Sequence, residues 1–252
     1  MIDVHCHILP GVDDGPKACD EALALGEQLI AQGVTTVIAT PHHLHLQFPE
    51  CPEEKLAALR EALQQEFGGR LRICPGAEVR FVPEVKRLLH RRDLFLNGSR
   101  YLLVEFPHDF VPHGIEHLVF ELTSRGVVPL IAHPERNRQF RERPERLAEL
   151  IRLGCYTQSD APSIVGDYGR RIKKTVLGWI ERGLVHIIAS DAHGVRFRPA
   201  KLDQAVAEVE KIFGTDVARA LFRDNPQAVI DDGEIAFTFE VTQARSFLRS
   251  FA

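Results

Sequence analysis

Short apolar, β-branched runs alternate with longer amphipathic stretches along this chain, and that alternation limits the fold more than any other feature of the sequence. The runs expected as strands are Ile2 to His5, Thr35 to Ala39, Leu71 to Cys74 continuing toward Glu78, Tyr101 to Phe106, Val127 to Ala132, Cys155 to Gln158 and Val185 to Ala189. Helical patterns cover Pro16 to Gln32, Pro52 to Phe67, Pro83 to Arg91, Gly114 to Arg125, Pro144 to Leu153, Ser163 to Arg182 and Lys201 to Gly214. Several open with Pro, which lacks an N–H that the first helical turn leaves unpaired anyway, and several end at Gly, which tolerates the backbone that stops a helix. Seven strands alternating with helices argue for parallel pairing through crossover connections, an α/β architecture. No linker, composition shift or low-complexity tract divides the 252 residues, so one domain is expected. An α/β barrel routinely needs about 200 to 250 residues, but on pattern alone an open doubly wound sheet remains equally acceptable.

The polar residues separate these two folds. Every expected strand except the sixth ends in a metal-capable or acid/base side chain: His5 and His7, His42, Glu78, Glu105, His133, and the pair Asp191 and His193. A barrel gathers the carboxyl ends of its strands on one face, where α/β-barrel active sites are built; an open sheet would string the same groups along a line. Closure is therefore expected, and seven strands make an irregular barrel. His5 and His7 are two apart in a strand, so both imidazoles project to one side and can reach one ion. Asp191 and His193 repeat the spacing at the last strand, next to the first if the ring closes. Any one of these residues alone is more simply a cap or surface group; the conjunction points to a metal centre.

The other histidines receive simpler readings. His43 and His45 follow His42 in a loop and are solvated or substrate-side residues, and His90, His108, His113, His117 and His186 are taken as structural or surface groups. Asp13 and Asp14 precede a helix, where either could be an N-cap or a ligand. A net charge of -4 argues against a general nucleic-acid binder, although a local basic patch is compatible with it and Arg outnumbers Lys by 24 to 7. Five scattered cysteines without a CxxC pair fit a reducing compartment, and no signal peptide or apolar run of about 18 residues appears, so a cytoplasmic protein without a membrane span is expected.

Met1-Ile2-Asp3-Val4-His5-Cys6-His7, Gly11-Val12-Asp13-Asp14-Gly15-Pro16-Lys17, Ala39-Thr40-Pro41-His42-His43, Ala132-His133-Pro134-Glu135-Arg136-Asn137 and Ser190-Asp191-Ala192-His193 occur in this order. Together they resemble the polymerase-and-histidinol-phosphatase (PHP) superfamily. The Asp-Asp-Gly-Pro and His-Pro-Glu-Arg-Asn runs most resemble its bacterial metal-dependent protein-tyrosine phosphatases of capsule and exopolysaccharide operons. The resemblance runs from residue 1 to about 230, leaving a tail over 231–252. It implies a distorted seven-stranded (β/α)7 TIM-like barrel holding three divalent ions. By that resemblance His5, His7, Glu78 and Asp191 would hold the first ion, Asp14, His42 and His193 the second, and Glu105 and His133 the third, with Glu78 bridging. Glu78 and Glu105 match by position after their strands, and Gln158-Ser159-Asp160-Ala161 departs from the small-residue run expected in the sixth unit.

Imidazole and carboxylate ligands suit Mn²⁺ first, with Fe²⁺ or Zn²⁺ as alternatives. Clustered ions can bind a phosphate monoester and generate hydroxide from water. Charge developing on the phosphoryl oxygens calls for further cations; Arg136 is the first choice, followed by Arg138 and Arg196. The expected substrate is a phosphotyrosyl protein, a cognate bacterial tyrosine kinase, whose phenolate is a good leaving group. Residues 43–52 would form a wall over the site. The alternatives are a PHP phosphatase of a small ester such as histidinol phosphate, a PHP nuclease module, and a non-catalytic metal-binding scaffold. Cys74-Pro75-Gly76-Ala77-Glu78-Val79-Arg80 matches the Cys-x5-Arg spacing of thiol phosphatases, but Pro75 removes an amide donor and Glu78 would put a carboxylate in the anion cradle. Ile235 to Val241 reads as one more strand or a partner contact.

Overall fold

The computed structural model describes residues 1–235. All seven expected runs form strands: β1 (Ile2–Cys6), β2 (Thr36–Ala39), β4 (Arg72–Cys74), β6 (Tyr101–Glu105), β7 (Val128–Ala132), β8 (Tyr156–Asp160) and β9 (Ile187–Ala189). Two short strands are additional. β3 (His42–His43) restarts after Thr40-Pro41, and β5 (Glu78–Arg80) restarts after Pro75-Gly76-Ala77. Proline cannot donate to a ladder, so the chain leaves one sheet at each break and resumes in the other.

Every ladder between these strands is parallel, as the alternation requires. The order is β1-β2-β4 in one sheet and β3-β5-β6-β7-β8-β9 in the second. The described residues thus form two parallel sheets where one closed seven-stranded ladder was expected, and the proline breaks after β2 and β4 are the physical reason. β9 and β1 are tied by a single parallel bridge between Cys6 and Ala192. Beside it, Asp191 N–H donates to His5 O (2.8 Å) and His7 N–H to Ala192 O (2.9 Å).

Helices α1 (Cys19–Ala31), α2 (Glu53–Phe67), α3 (Ile115–Thr123), α4 (Arg138–Glu142) and α5 (Pro144–Arg152) connect the first strands. The helix expected over Ser163 to Arg182 is broken into α6 (Ala161–Val165) and α7 (Arg170–Glu181), because Gly166 and Gly169 take φ of 101° and 93°. Pro83 to Arg91 contains a 3-10 turn, Pro83–Leu88, in place of an α-helix. After β9 come α8 (Leu202–Phe213), α9 (Thr215–Arg219) and α10 (Asn225–Ile230).

Alternate strand residues feed two apolar clusters. Leu102, Val104, Ile131 and Ile188 pack outward against the helices. Ile2, Val4, Ile38, Cys74, Tyr101, Leu103, Leu130, Ala132, Ile187 and Ala189 meet on the other face, joined by Val229 and Ile230 of α10 and by Ile235. Apart from Ile235, the expected strand to Val241 lies outside the described residues. No described helix is long and apolar enough to cross a membrane.

Candidate metal centre

The polar ends of the parallel strands converge. His5 closes in from β1 and His7 from the turn after it, their Nε2 atoms 3.3 Å apart. Glu78 Oε2 lies 3.4 Å from both, and Asp191 Oδ1 lies 3.3 Å from His5 and 3.5 Å from His7. Donor atoms bound at about 2.0–2.2 Å around one ion stand roughly 3 to 3.5 Å apart, so these four have the spacing of a shared site. His193 Nε2 and His42 Nε2 lie 3.2 and 3.5 Å from Asp14 Oδ1, a second group that includes His7. Glu78 Oε1 lies 2.8 Å from His133 Nε2, with Glu105 Oε1 3.9 Å from the same nitrogen, a third group sharing Glu78 with the first. All nine expected ligands are therefore brought together.

Their backbone settings differ from those expected. Glu78 and His42 begin the short second strands instead of ending the first ones. β9 stops at Ala189, so Asp191 and His193 sit in the following loop. There Asp191 takes φ 50°, and His133 after β7 takes φ 29°. Non-glycine residues held at positive φ are uncommon and cluster at functional sites, where the surrounding structure over-determines them.

Residues behind the cluster fix which histidine nitrogen faces it. His7 Nδ1 donates to Asp13 Oδ2 (2.7 Å), His193 Nδ1 donates to the Asp191 carbonyl (2.9 Å) and His5 Nδ1 donates to Gln158 Oε1 (2.8 Å). The Gln158 amide is oriented in turn by its Nε2, which donates to Asp160 Oδ1 at 3.1 Å. With Nδ1 protonated, each ring presents its Nε2 lone pair to the site, the arrangement metal-ligating histidines favour. Asp13 is thus an orienting carboxylate, neither cap nor ligand. It also accepts from the backbone N–H of Gly15 and of His42. Burial would raise it, but the His7 imidazole and the Gly15 N–H hold it at about 2. Gly15 makes this loop possible, since a Cβ there would fall 2.3 Å from the His7 carbonyl oxygen.

The charge balance favours a cation. Asp14 Oδ1, His42 Nδ1, Glu78 Oε2 and Asp191 Oδ1 are buried without a hydrogen-bond partner, and all four face this cluster. Such atoms are costly unless an ion or proton satisfies them. Burial and the Glu78 charge push Glu105 up to about 7, a sign of crowded carboxylates. Burial, with Arg136 nearby, pushes His133 down to about 4, leaving it neutral and able to coordinate at neutral pH. The donor set, its spacing and its unpaired atoms fit divalent ions.

Two guanidiniums reach the cluster. Arg136 Nη1 donates to Asp191 Oδ2 (2.9 Å) and lies 3.8 Å from Asp160, with its guanidinium 5.8 Å from the Tyr168 ring centre. Arg198 donates through Nη2 to the same Asp191 oxygen and through Nη1 to His193 Nε2 at 2.8 Å. Arg198 was not singled out in the sequence, although it lies two residues from Arg196; its backbone takes φ 49°. Arg138 and Arg196 are exposed and are not brought to the cluster; the guanidinium of Arg138 lies 3.9 Å from Asp109. The sixth unit does reach the site, through Gln158 and Asp160. In the wall segment, the rings of His45 and Phe48 stack on that of His42 with centres 4.5 and 5.3 Å away, while His43 is buried near Glu50. His108, set aside in the sequence, stands edge-on to His133 at 6.3 Å. Cys74 lies in the inner apolar cluster, and burial pushes its thiol up, the opposite of a nucleophilic thiolate.

A model of the capsular polysaccharide synthesis family CpsB/CapC matches residues 1–231. The tyrosine-protein phosphatase YwqE of Bacillus subtilis (strain 168) is 37% identical over 249 residues, covering 91% of this chain and 96% of that protein. The tyrosine-protein phosphatase CpsB of Streptococcus pneumoniae is 37% identical over 242 residues, covering 92% of this chain and 99% of that protein. A solved structure from work on YwqE and CpsB, described as unique metal-dependent tyrosine phosphatases, superposes with a TM-score of 0.88 at 36% identity, covering 93% and 96% of the two chains.

Proposed function

This chain belongs to the CpsB/CapC family of capsular polysaccharide synthesis proteins, and from that membership and the geometry of its metal centre we propose that it is a metal-dependent protein-tyrosine phosphatase. The observation that carries the reading is the set of four buried, unpaired ligand atoms on Asp14, His42, Glu78 and Asp191 with two guanidiniums against Asp191. In this reading His5, His7, Glu78 and Asp191 hold one ion, Asp14, His42 and His193 a second, and Glu78, Glu105 and His133 a third. Mn²⁺ is the preferred metal, with Fe²⁺ or Zn²⁺ next. Divalent ions there supply Lewis acidity toward the phosphoryl oxygens and lower the pKa of water.

The protein's own groups supply the rest. Arg136 and Arg198 approach from different loops and can each turn a donor from Asp191 toward a phosphate oxygen, placing positive charge where it accumulates during transfer. A tyrosyl oxygen, with an ordinary pKa of about 10, leaves with little help from a general acid. Arg138 and Arg196, from their exposed positions, act at most on parts of the substrate beyond the phosphate. The substrate protein in this reading is a tyrosine kinase that controls capsule or exopolysaccharide synthesis, met in the cytoplasm. The whole chain is read as one domain, a distorted seven-unit barrel to about residue 230 with a short tail. What supports the barrel is the single inner cluster drawn from β1, β2, β4, β6, β7 and β9 and the Cys6 to Ala192 bridge.

The test is hydrolysis of a phosphotyrosyl peptide by metal-depleted protein supplied with Mn²⁺, Fe²⁺ or Zn²⁺, beside histidinol phosphate. Activity should require metal, favour the peptide, vanish in His7→Ala and persist in Cys74→Ser. Loss of activity in Cys74→Ser with fold and metals intact would sink the metal mechanism.

A further inference from the structure

Beside the Arg136 edge of the site lies a group of cations that the chemistry above does not use. α4 begins two residues after Arg136 and carries Arg138 and Arg141; α7 begins two residues after Tyr168, the ring next to Arg136, and carries Arg170 and Arg171. Both helices contact one and the same turn. α7 packs against the 3-10 turn Pro134–Arg136, and Arg141 Nη1 donates to the Glu135 carbonyl of that same turn at 2.7 Å. Arg138, Arg170 and Arg171 are exposed.

These charges are poorly matched within the protein. Among the described residues, no carboxylate lies within 4.0 Å of Arg141, Arg170 or Arg171, and Arg138 has only Asp109 at 3.9 Å. The nearby acids are engaged or few: Glu135 is buried and bonded to Asp160 N–H and Ser163, Asp167 pairs with Lys201, and Arg141 feels the charges of Glu142 and of that buried Glu135. Burial and the charges of Arg171 and Arg138 depress the Arg141 guanidinium, so the three cations feel one another. Arg170 and Arg171 also open α7, whose first turn has no acidic residue. Cations at a helix N-terminus face the positive end of its dipole, which disfavours them unless an anion is bound. Like charges gathered without partners beside a substrate mouth complement an anionic ligand and raise its local concentration.

Resting on the phosphatase reading, we propose that Arg138, Arg141, Arg170 and Arg171 form a docking ridge for the Asp and Glu side chains that flank the phosphotyrosine, so that the favoured substrate is an acidic tyrosyl segment. The flanking anions are carboxylates, which the guanidiniums bind through forked hydrogen bonds. The ridge acts on capture of the segment and leaves the chemical step to the metal centre.

Three phosphotyrosyl peptides of equal length test this, one with neutral flanks, one with Asp and Glu flanks, and one with a second phosphotyrosine. p-Nitrophenyl phosphate, too small to reach the ridge, serves as the reference. The wild type should show kcat/KM about tenfold higher for the acidic peptide than for the neutral one, expressed in KM and shrinking as salt rises. Arg170→Gln/Arg171→Gln should reduce that ratio to within about twofold, and Arg170→Glu/Arg171→Glu should invert it. An advantage confined to the second phosphate, with the acidic and neutral peptides turned over alike, overturns the acidic-segment proposal. Equal turnover of neutral and anionic peptides by the wild type, or a preference that survives Arg170→Gln/Arg171→Gln, overturns the ridge while leaving the phosphatase reading intact. Turnover of p-nitrophenyl phosphate with no phosphotyrosyl peptide hydrolysed would overturn both.

Discussion

Replacing Asp13 by Ala would remove at once the acceptor for the His7 ring N–H and the acceptors for the Gly15 and His42 backbone N–H groups. His7 would then be free to change tautomer and the loop carrying Asp14 would lose its anchor. Removing such an outer partner typically costs about 10- to 100-fold in metal affinity, and chelator competition should find a loss of that size with the secondary structure retained; unchanged affinity would reduce Asp13 to a loop group. Residue type and position alone did not divide the work between Asp13 and Asp14, because both are short acids before a helix; the resemblance assigned Asp14 to an ion but gave Asp13 no role, and that role follows from the loop turn at Gly15. Arg196 and Arg198 are ambiguous for a similar reason, since residue type does not say which one turns inward. His186 behaves as its plain reading suggested. It is buried with Nδ1 accepting from Thr157 N–H, and burial pushes it from 6.5 down to about 4. Above pH 6.5 it is neutral folded or unfolded, and its full stability is present. Between pH 6.5 and 4 the unfolded chain takes up a proton that the folded one refuses, so stability is lost as pH falls, by on the order of 3 kcal/mol at the lower limit. Urea titrations at several pH values should give a smaller acid-side loss for His186→Gln than for the wild type; parallel losses would assign the effect to other groups.

The existence and order of the strands were legible because apolar, β-branched runs of strand length have few other uses, and every one of the seven runs pairs. What was not legible was continuity. Pro41 and Pro75 divide the ladder into two sheets, and Gly166 and Gly169 divide a helix whose apolar spacing alone reads through, because a periodic pattern carries no signal for a backbone that turns between its repeats. Helix contacts are equally hidden. Gly26 sits within α1, where Ala would ordinarily be the better helix former by about 1 kcal/mol. Its missing side chain makes room for Phe67 of α2: a Cβ at Gly26 would lie 2.1 Å from the Phe67 ring. Gly26→Ala should therefore destabilise in spite of its propensity, by about 1–3 kcal/mol for an overpacked contact, seen as a melting temperature lower by roughly 3 to 10 °C. Gly26→Ala with Phe67→Leu should recover part of the loss, whereas a stabilised single variant would show that α1 and α2 separate at little cost.

At the scale of the whole molecule, net charge and local charge point in different directions. A formal charge of -4 says little about a molecule that concentrates carboxylates around a candidate metal centre and arginines next to it. The candidate ligands come from opposite ends of the described fold, His5 and His7 at β1 and Asp191 and His193 after β9, and among the described residues a single bridge, Cys6 to Ala192, joins β1 to the loop after β9. Ions held by both ends would cross-link the segment where the backbone ladder is thinnest and satisfy buried oxygens that are otherwise unpaired. Chelation should then lower global stability as well as activity. For one site at a hundredfold excess of metal over Kd, linkage gives about 2.7 kcal/mol, which for a chain of this size corresponds to a melting shift of roughly 5 to 10 °C. Amide exchange should locate the change: after chelation, protection should fall at His7 and Asp191, whose N–H groups cross between the two ends, before it falls at the β6 and β7 ladder. Equal protection with and without metal at these two amides, in protein shown by titration to bind metal, would mean that the fold holds the site open unaided and that the ions serve chemistry alone.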